Sequence, residues 1–129
     1  VVKIIFLLKR AEGVSPEQFR AHYESSHVKL AQKYIGHLLV DYVRNYPAFA
    51  MRNPSDVPAS AMPAPYDIGY DCITEMYVKD QAAVEKINRI FNDPEINPIL
   101  AEDELKFLKR EETVMIMTDV VNTGVKLAA

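Results

Sequence analysis

VVKIIFLLKRAEGVSPEQF, residues 1–19, decides how the chain begins to fold. Residues 1–9 are rich in β-branched side chains and are followed by the polar, glycine-containing RAEG, so they read as a strand that ends at a turn. Ser15, Pro16 and Gln18 then supply an N-cap, a first-turn proline and the reciprocal third-position partner of a capping box. A strand followed closely by a helix is therefore fixed by local chemistry. The strand is also apolar on both faces. Val2, Ile4, Phe6 and Leu8 alternate with Val1, Ile5 and Leu7, so both sides of it need cover.

The helix carries Phe19, Tyr23, His27 and Leu30 as its inward stripe and is expected to run to about Tyr34, with Gly36 as its stop. HLLVDYVRNY, residues 37–46, alternates as a second strand, with Asp41 and Tyr42 on opposite faces. Residues 47–65 hold five of the chain's eight prolines and are expected to form a long loop. Its Phe49, Met51 and Met62 suggest a segment that packs over something. DIGYDCITEMYV, residues 67–78, is a third strand with Asp71, Ile73, Glu75 and Tyr77 sharing a face. Asp80 caps a second helix bearing Val84, Ile87 and Phe91. Asp93-Pro94 and Asn97-Pro98 interrupt it before a further helix at about 98–109, and TVMIMTDVV, residues 113–121, closes the series as a strand.

The order is β-α-β-β-α-β with an extra helical segment, the α+β arrangement called ferredoxin-like, with both helices on one side of an antiparallel sheet. Two apolar faces on the first and last strands leave the second sheet face in need of a partner. Packing two sheets together removes apolar area from water at roughly 25 cal/mol per Å², which predicts a homodimer by a symmetric contact, with a central strand covered by the long loop as the alternative. One domain is expected over residues 1–125, with KLAA, residues 126–129, read as an expression-vector linker.

Bulk properties narrow the function. A chain of 129 residues with net charge −3 and dispersed Lys and Arg has no basic patch for nucleic acid. No run of apolar residues is long enough for a membrane helix. The single cysteine, Cys72, excludes an internal disulfide and fits a cytoplasmic setting. Four glycines form no phosphate loop or dinucleotide fingerprint, and no ligand spacing points to a metal. No cofactor is expected.

The remaining chemistry lies between helices and sheet. His27 interrupts an apolar stripe and can exchange protons near neutral pH, although a packed, hydrogen-bonded histidine fits the same pattern. Tyr23 lies one turn before it. Asp103, one turn before Phe107, is placed to orient His27 and raise its basicity, with surface ion pairing as the alternative. His27, Asp103 and Tyr23 are therefore the catalytic candidates. Tyr42, Asp71, Glu75, Phe19 and Phe107 are the candidates for contact with a substrate. Asp71 and Glu75 lie roughly 13 Å apart along a strand, too far to share a proton. One is expected near the pocket mouth and the other bound to a cation at the dimer rim. His22, at the edge of the stripe, and His37, at the start of a strand, are weaker candidates, and Cys72 in a strand reads as inert.

These motifs resemble the EthD family of the dimeric α+β barrel superfamily. Gly13, Ser15, Glu17, Phe19 and His27 match its first strand-helix run, Tyr23 matches an aromatic before the histidine, and Asp103, Glu104 and Phe107 match a later D-E-x-x-F run. The resemblance implies a ferredoxin-like subunit, a homodimer and a cavity in each subunit. It also implies chemistry drawn from ether degradation, polyketide decarboxylation or dehydration, cyclisation, isomerisation or cofactor-free oxygenation. The proline-rich segment departs from the shorter family members. The expectation is a cofactor-independent enzyme that acts by proton transfer on a small hydrophobic, aromatic or polyketide-like molecule. The alternatives are a cofactor-free monooxygenase, a non-catalytic carrier of hydrophobic ligands and a haem-handling protein using His27 as ligand.

Overall fold

A computed structural model describes residues 1–53 and 63–127. Strands β1 (Val2–Leu8), β2 (Leu39–Asn45), β5 (Cys72–Val78) and β6 (Val114–Thr118) form one antiparallel sheet in the order β2-β5-β1-β6. A short pair, β3 (Met51–Arg52) and β4 (Ala64–Pro65), stands apart from it. The first helix comprises α1 (Pro16–His22), a π-helical turn (Tyr23–His27) and α2 (Val28–Ile35). Helices α3 (Gln81–Phe91) and α4 (Asn97–Leu105) follow β5. This is the expected ferredoxin-like order.

The capping box forms as its chemistry requires. Gln18 N–H donates to Ser15 Oγ at 3.1 Å, and Ser15 N–H donates to Gln18 Oε1 at 2.9 Å. Gly13, at φ 77°, makes the turn into the helix in a region that costs other residues strain. Asp80 caps α3 through Ala83 N–H at 2.9 Å.

The helix departs from uniform α geometry at Tyr23, where Val28 N–H donates to the Tyr23 carbonyl five residues back. The π turn advances the phase by one residue. Beyond it Val28, Ala31 and Ile35 are buried, and Leu30, expected on the inward stripe, is only half-buried. Gly36 does not act as a left-handed stop. At φ −54° it leads into a 3-10 turn over Gly36–Leu38.

Strand β2 carries a bulge between Leu39 and Asp41, so strict alternation fails there. Leu39 joins Tyr42 against the core, and Val40 is 64% exposed. The third strand of the sheet begins at Cys72 rather than 67, the last ends at Thr118, and α4 stops at Leu105. Asn97 lies in the first turn of α4 and donates its amide to the Phe91 carbonyl rather than capping the helix. Phe49 and Met51 are exposed rather than packed down. Met62 and residues 54–61 of the proline-rich stretch fall outside the described residues, as do the last two residues of the expected linker.

Two buried clusters fill the space between sheet and helices. One joins Ile4, Met76 and Val78 to Ala31, Ile35, Val84 and Ile87. The other joins Leu8 and Cys72 to Phe19, Tyr23, Val28, Phe107 and Leu108. The opposite sheet face presents Ile5, Leu7, Val43, Ile73 and Ile116, edged by the Lys3–Glu75 ion pair at 3.0 Å.

Candidate active site

A cavity of about 370 Å³ opens between the sheet and the helices. Phe6, Leu8, Met76, Leu100 and Leu108 supply apolar walls, and His27, Tyr23 and Tyr42 supply convergent polar groups. Asn97, Glu104, Arg110 and Thr113 also reach it. An apolar hollow with a few directed polar groups is the usual form of a small-molecule site.

Behind His27 sits Asp103, on α4 and 5% exposed. His27 Nδ1 lies 2.9 Å from its Oδ2, while His22 Nε2 and Ser26 Oγ lie 2.9 and 2.8 Å from its Oδ1. Burial alone would push this carboxyl upward. Hydrogen bonds from Ser26 and His27, with the charge and hydrogen bond of His22, outweigh it and hold the group below the usual carboxylate range. An ionised carboxylate only accepts, so His27 donates from Nδ1 and His22 from Nε2. His27 Nε2 is the nitrogen left for the cavity.

The second polar group is a hydroxyl pair. Tyr23 OH lies 3.0 Å from Tyr42 OH and 2.7 Å from Thr74 Oγ1, which in turn is 3.5 Å from Cys72 Sγ. Burial raises both phenols, Tyr42 to about 12 and Tyr23 further, so both stay protonated. Arg44 stacks on the Tyr42 ring at 4.7 Å and is held by Glu24 through bonds of 3.0 and 2.7 Å. Burial also lifts the Cys72 thiol to about 11, which keeps it out of nucleophilic chemistry near neutral pH.

Of the residues named from sequence, His27, Tyr23 and Tyr42 come together at the cavity, and Asp103 meets His27 from behind. Surface ion pairing, the alternative for Asp103, is excluded by its burial. Phe19 and Phe107 do not line the cavity. They pack 5.5 Å apart in the core behind it, with Phe107 also against His22 and His27 at 4.8 and 5.2 Å. Asp71 is likewise absent from the lining. It braces two loops by accepting from the backbone N–H and Nε of Arg10 at 2.9 and 3.2 Å. Glu75 is on the opposite sheet face, bound to Lys3 and Asn45. A strand has two faces, and the buried partners Cys72, Thr74 and Met76 claim the one toward the helices.

Sequence reasoning underrated His22 and missed Ser26. No local signal marked them, because an α-helical period sets His22 and His27 about 140° apart and only the π turn brings both rings to one carboxylate. His37 is exposed, as its position suggested. Among the described residues no group of three or more His, Cys, Asp or Glu side chains is arranged to hold a metal ion, and no helix is long and apolar enough to cross a membrane.

Comparison with solved structures finds the same fold elsewhere. A protein of Arabidopsis thaliana is 18% identical at TM-score 0.56, covering 97% of this chain and 100% of its own. An ethyl tert-butyl ether D (EthD) family protein of Bacillus halodurans is 19% identical at TM-score 0.58, covering 93% and 98%. A dimeric ferredoxin-like protein of unknown function from Thermobifida fusca is 12% identical at TM-score 0.50, covering 92% and 90%. No curated protein matches the sequence. The EthD domain profile matches residues 11–111, which contain the π turn, both tyrosines and Asp103, and the chain belongs to the EthD family.

Proposed function

We propose that the protein is a cofactor-independent enzyme that moves a proton on a small aromatic or polyketide-like molecule, by decarboxylation, dehydration or isomerisation. The observation that carries this reading is a histidine whose Nδ1 is fixed by a buried carboxylate while its ring lines an apolar cavity that also holds two phenolic hydroxyls. His27 Nε2 is the base that takes a proton from an activated carbon or oxygen of the substrate. Asp103 holds the needed tautomer and stabilises the imidazolium that forms. In this reading the protons run from Cys72 to Thr74, Thr74 to Tyr23 and Tyr23 to Tyr42, an order that the 3.5, 2.7 and 3.0 Å contacts permit. That order leaves the Tyr42 proton free for a developing enolate or phenolate oxygen. The imidazolium then returns its proton, to a second carbon in isomerisation, to the departing hydroxide in dehydration, or to the carbanion left when CO2 departs from a carboxylic acid, so no oxidant or reductant is needed.

The working unit in this reading is a homodimer. Ile5, Leu7, Ile73 and Ile116 offer one apolar sheet face to a second copy, and the Thermobifida fusca protein of the same fold is described as dimeric.

The test is deuterium exchange at the activated carbon of an enolisable bicyclic ketone, 2-tetralone, followed by NMR in D2O. The wild type is expected to accelerate exchange beyond buffer, with His27→Gln losing the acceleration while still binding the ketone. Exchange at equal rates in both proteins, or binding without exchange in either, contradicts the proton-transfer reading and leaves a carrier of hydrophobic ligands.

A further inference from the structure

We propose that His22 is a positioning residue that sets the basicity of His27 by sharing its carboxylate. The proposal rests on the reading of His27 as a base. Asp103 Oδ1 and Oδ2 are each engaged by one imidazole, at the same 2.9 Å, with Ser26 as third donor on Oδ1. The arrangement needs the π turn, because in continuous α-helix the two rings would point about 140° apart. Such turns weaken local helical bonding and concentrate where a side chain must be re-aimed.

The two rings have unlike surroundings. His27 lines the cavity with its side chain 15% exposed, and His22 stays outside the lining at 26%. His22 is therefore the more exposed of the two rings and lies outside the cavity that would hold a substrate. Its effect must pass through the carboxylate. A negative charge that satisfies one imidazole fully raises its basicity most, and a second donor on the same group draws some of that stabilisation away. Protonation of His22 adds a like charge across the carboxylate and strengthens the effect. Other ionisable groups bordering His27 are few. Glu104 and Arg110 reach the same cavity from α4 and the turn after it and neutralise each other through a 2.9 Å pair, and Tyr23 and Tyr42 remain uncharged. Of these groups only the carboxylate shared with His22 is hydrogen-bonded to the His27 ring.

Long-range ¹H–¹⁵N spectra of the three histidine rings across pH test this without a substrate. His22→Phe keeps an aromatic ring beside Phe107 and removes the donor, and His22→Gln keeps a neutral donor and removes the titration. The expected result is a His27 midpoint raised by about half a pH unit or more in His22→Phe, a fraction of the roughly 1–3 units that a whole neighbouring charge moves, and a smaller rise in His22→Gln. An unmoved or lowered His27 midpoint in His22→Phe overturns the proposal. Asp103→Asn separates the two levels of the argument. If it lowers the His27 midpoint while His22→Phe does nothing, only the role of His22 falls. If His27 is unmoved in Asp103→Asn as well, the carboxylate does not govern His27 and the acid-base reading falls with it.

Discussion

His27 Nδ1 and Asp103 Oδ2 lie 2.9 Å apart, joining the π turn of the first helix to α4 across a separation of 76 residues. The bond ties two elements that flank the cavity and fixes which ring nitrogen faces it. Replacing Asp103 with Asn removes the charge and offers an amide donor that favours the other tautomer. Exchange of the 2-tetralone proton is expected to fall by about 10³ or more, somewhat less than the roughly 10⁴ that the same change costs in a Ser-His-Asp triad. Denaturant unfolding is expected to show a stability loss of about 2–3 kcal/mol from the broken buried network. Retained exchange would mean that the pair is structural.

Acid should find the same carboxylate. Asp103 is held below the usual range by Ser26, His27 and His22 against its burial, and Glu24 is held low first by its hydrogen bond to Arg44. A carboxylate whose folded pKa is depressed binds fewer protons folded than unfolded. It adds stability above its unfolded pKa and loses that contribution as pH falls through the folded value. The carboxylate contribution to the unfolding midpoint is therefore expected to be steady above about pH 5 and to drop below about pH 4, with a shallower drop in Asp103→Asn and in Glu24→Gln. Equal acid slopes in all three proteins would refute this assignment.

Phe107, fully buried, touches Phe19 and Tyr23 as well as both histidines. Truncation to Ala is expected to cost about 3–5 kcal/mol through the cavity it leaves. The conservative Phe107→Leu should lower stability less and leave ketone affinity unchanged, which equilibrium binding can check. A selective loss of affinity with intact stability would restore Phe107 to the substrate contacts.

The hydroxyl pair separates packing from chemistry. Tyr23→Phe strips Thr74, fully buried, of its 2.7 Å partner and is expected to cost about 1–2 kcal/mol. Tyr42→Phe leaves its partner Tyr23 still bonded to Thr74. It should therefore cost less in stability while slowing ketone exchange more. The reverse ranking in a denaturant series and exchange assay would contradict the proposed donor order.

Ile116 and Leu7 face away from the helices on the open side of the sheet. Ile116→Glu or Leu7→Glu is expected to convert a dimer into a monomer by light scattering, since a charge buried between two apolar sheets lacks a partner. An unchanged mass would place the subunit contact elsewhere.

Much of the fold was legible because its signals are local. The capping box at Ser15, the Asp80 cap and the two-faced first strand each act within a few residues. The α+β order follows from them. What escaped were the single-residue changes of phase. The bulge after Leu39 and the π turn at Tyr23 carry no residue type that demands them, and both arise because tertiary packing claims Leu39 and Ile35 for the core. His27 and Asp103 could be paired from their positions on two inward stripes. His22 could not, since an unbroken helix turns it away. Phe19 and Phe107 were read as inward, which they are, but a period of apolar residues does not tell a cavity wall from the packing behind it. As substrate contacts Asp71 and Glu75 were misplaced for a related reason, because alternation shows that residues share a face without showing which face meets the helices.

The most direct test of the account is the tautomer of neutral His27, read from ring ¹⁵N shifts at a pH above its titration. The structure predicts a protonated Nδ1 held by Asp103 and a bare Nε2 facing the cavity. A proton on Nε2 with a bare Nδ1 would mean that the carboxylate does not set the ring, and that the cavity lacks its base.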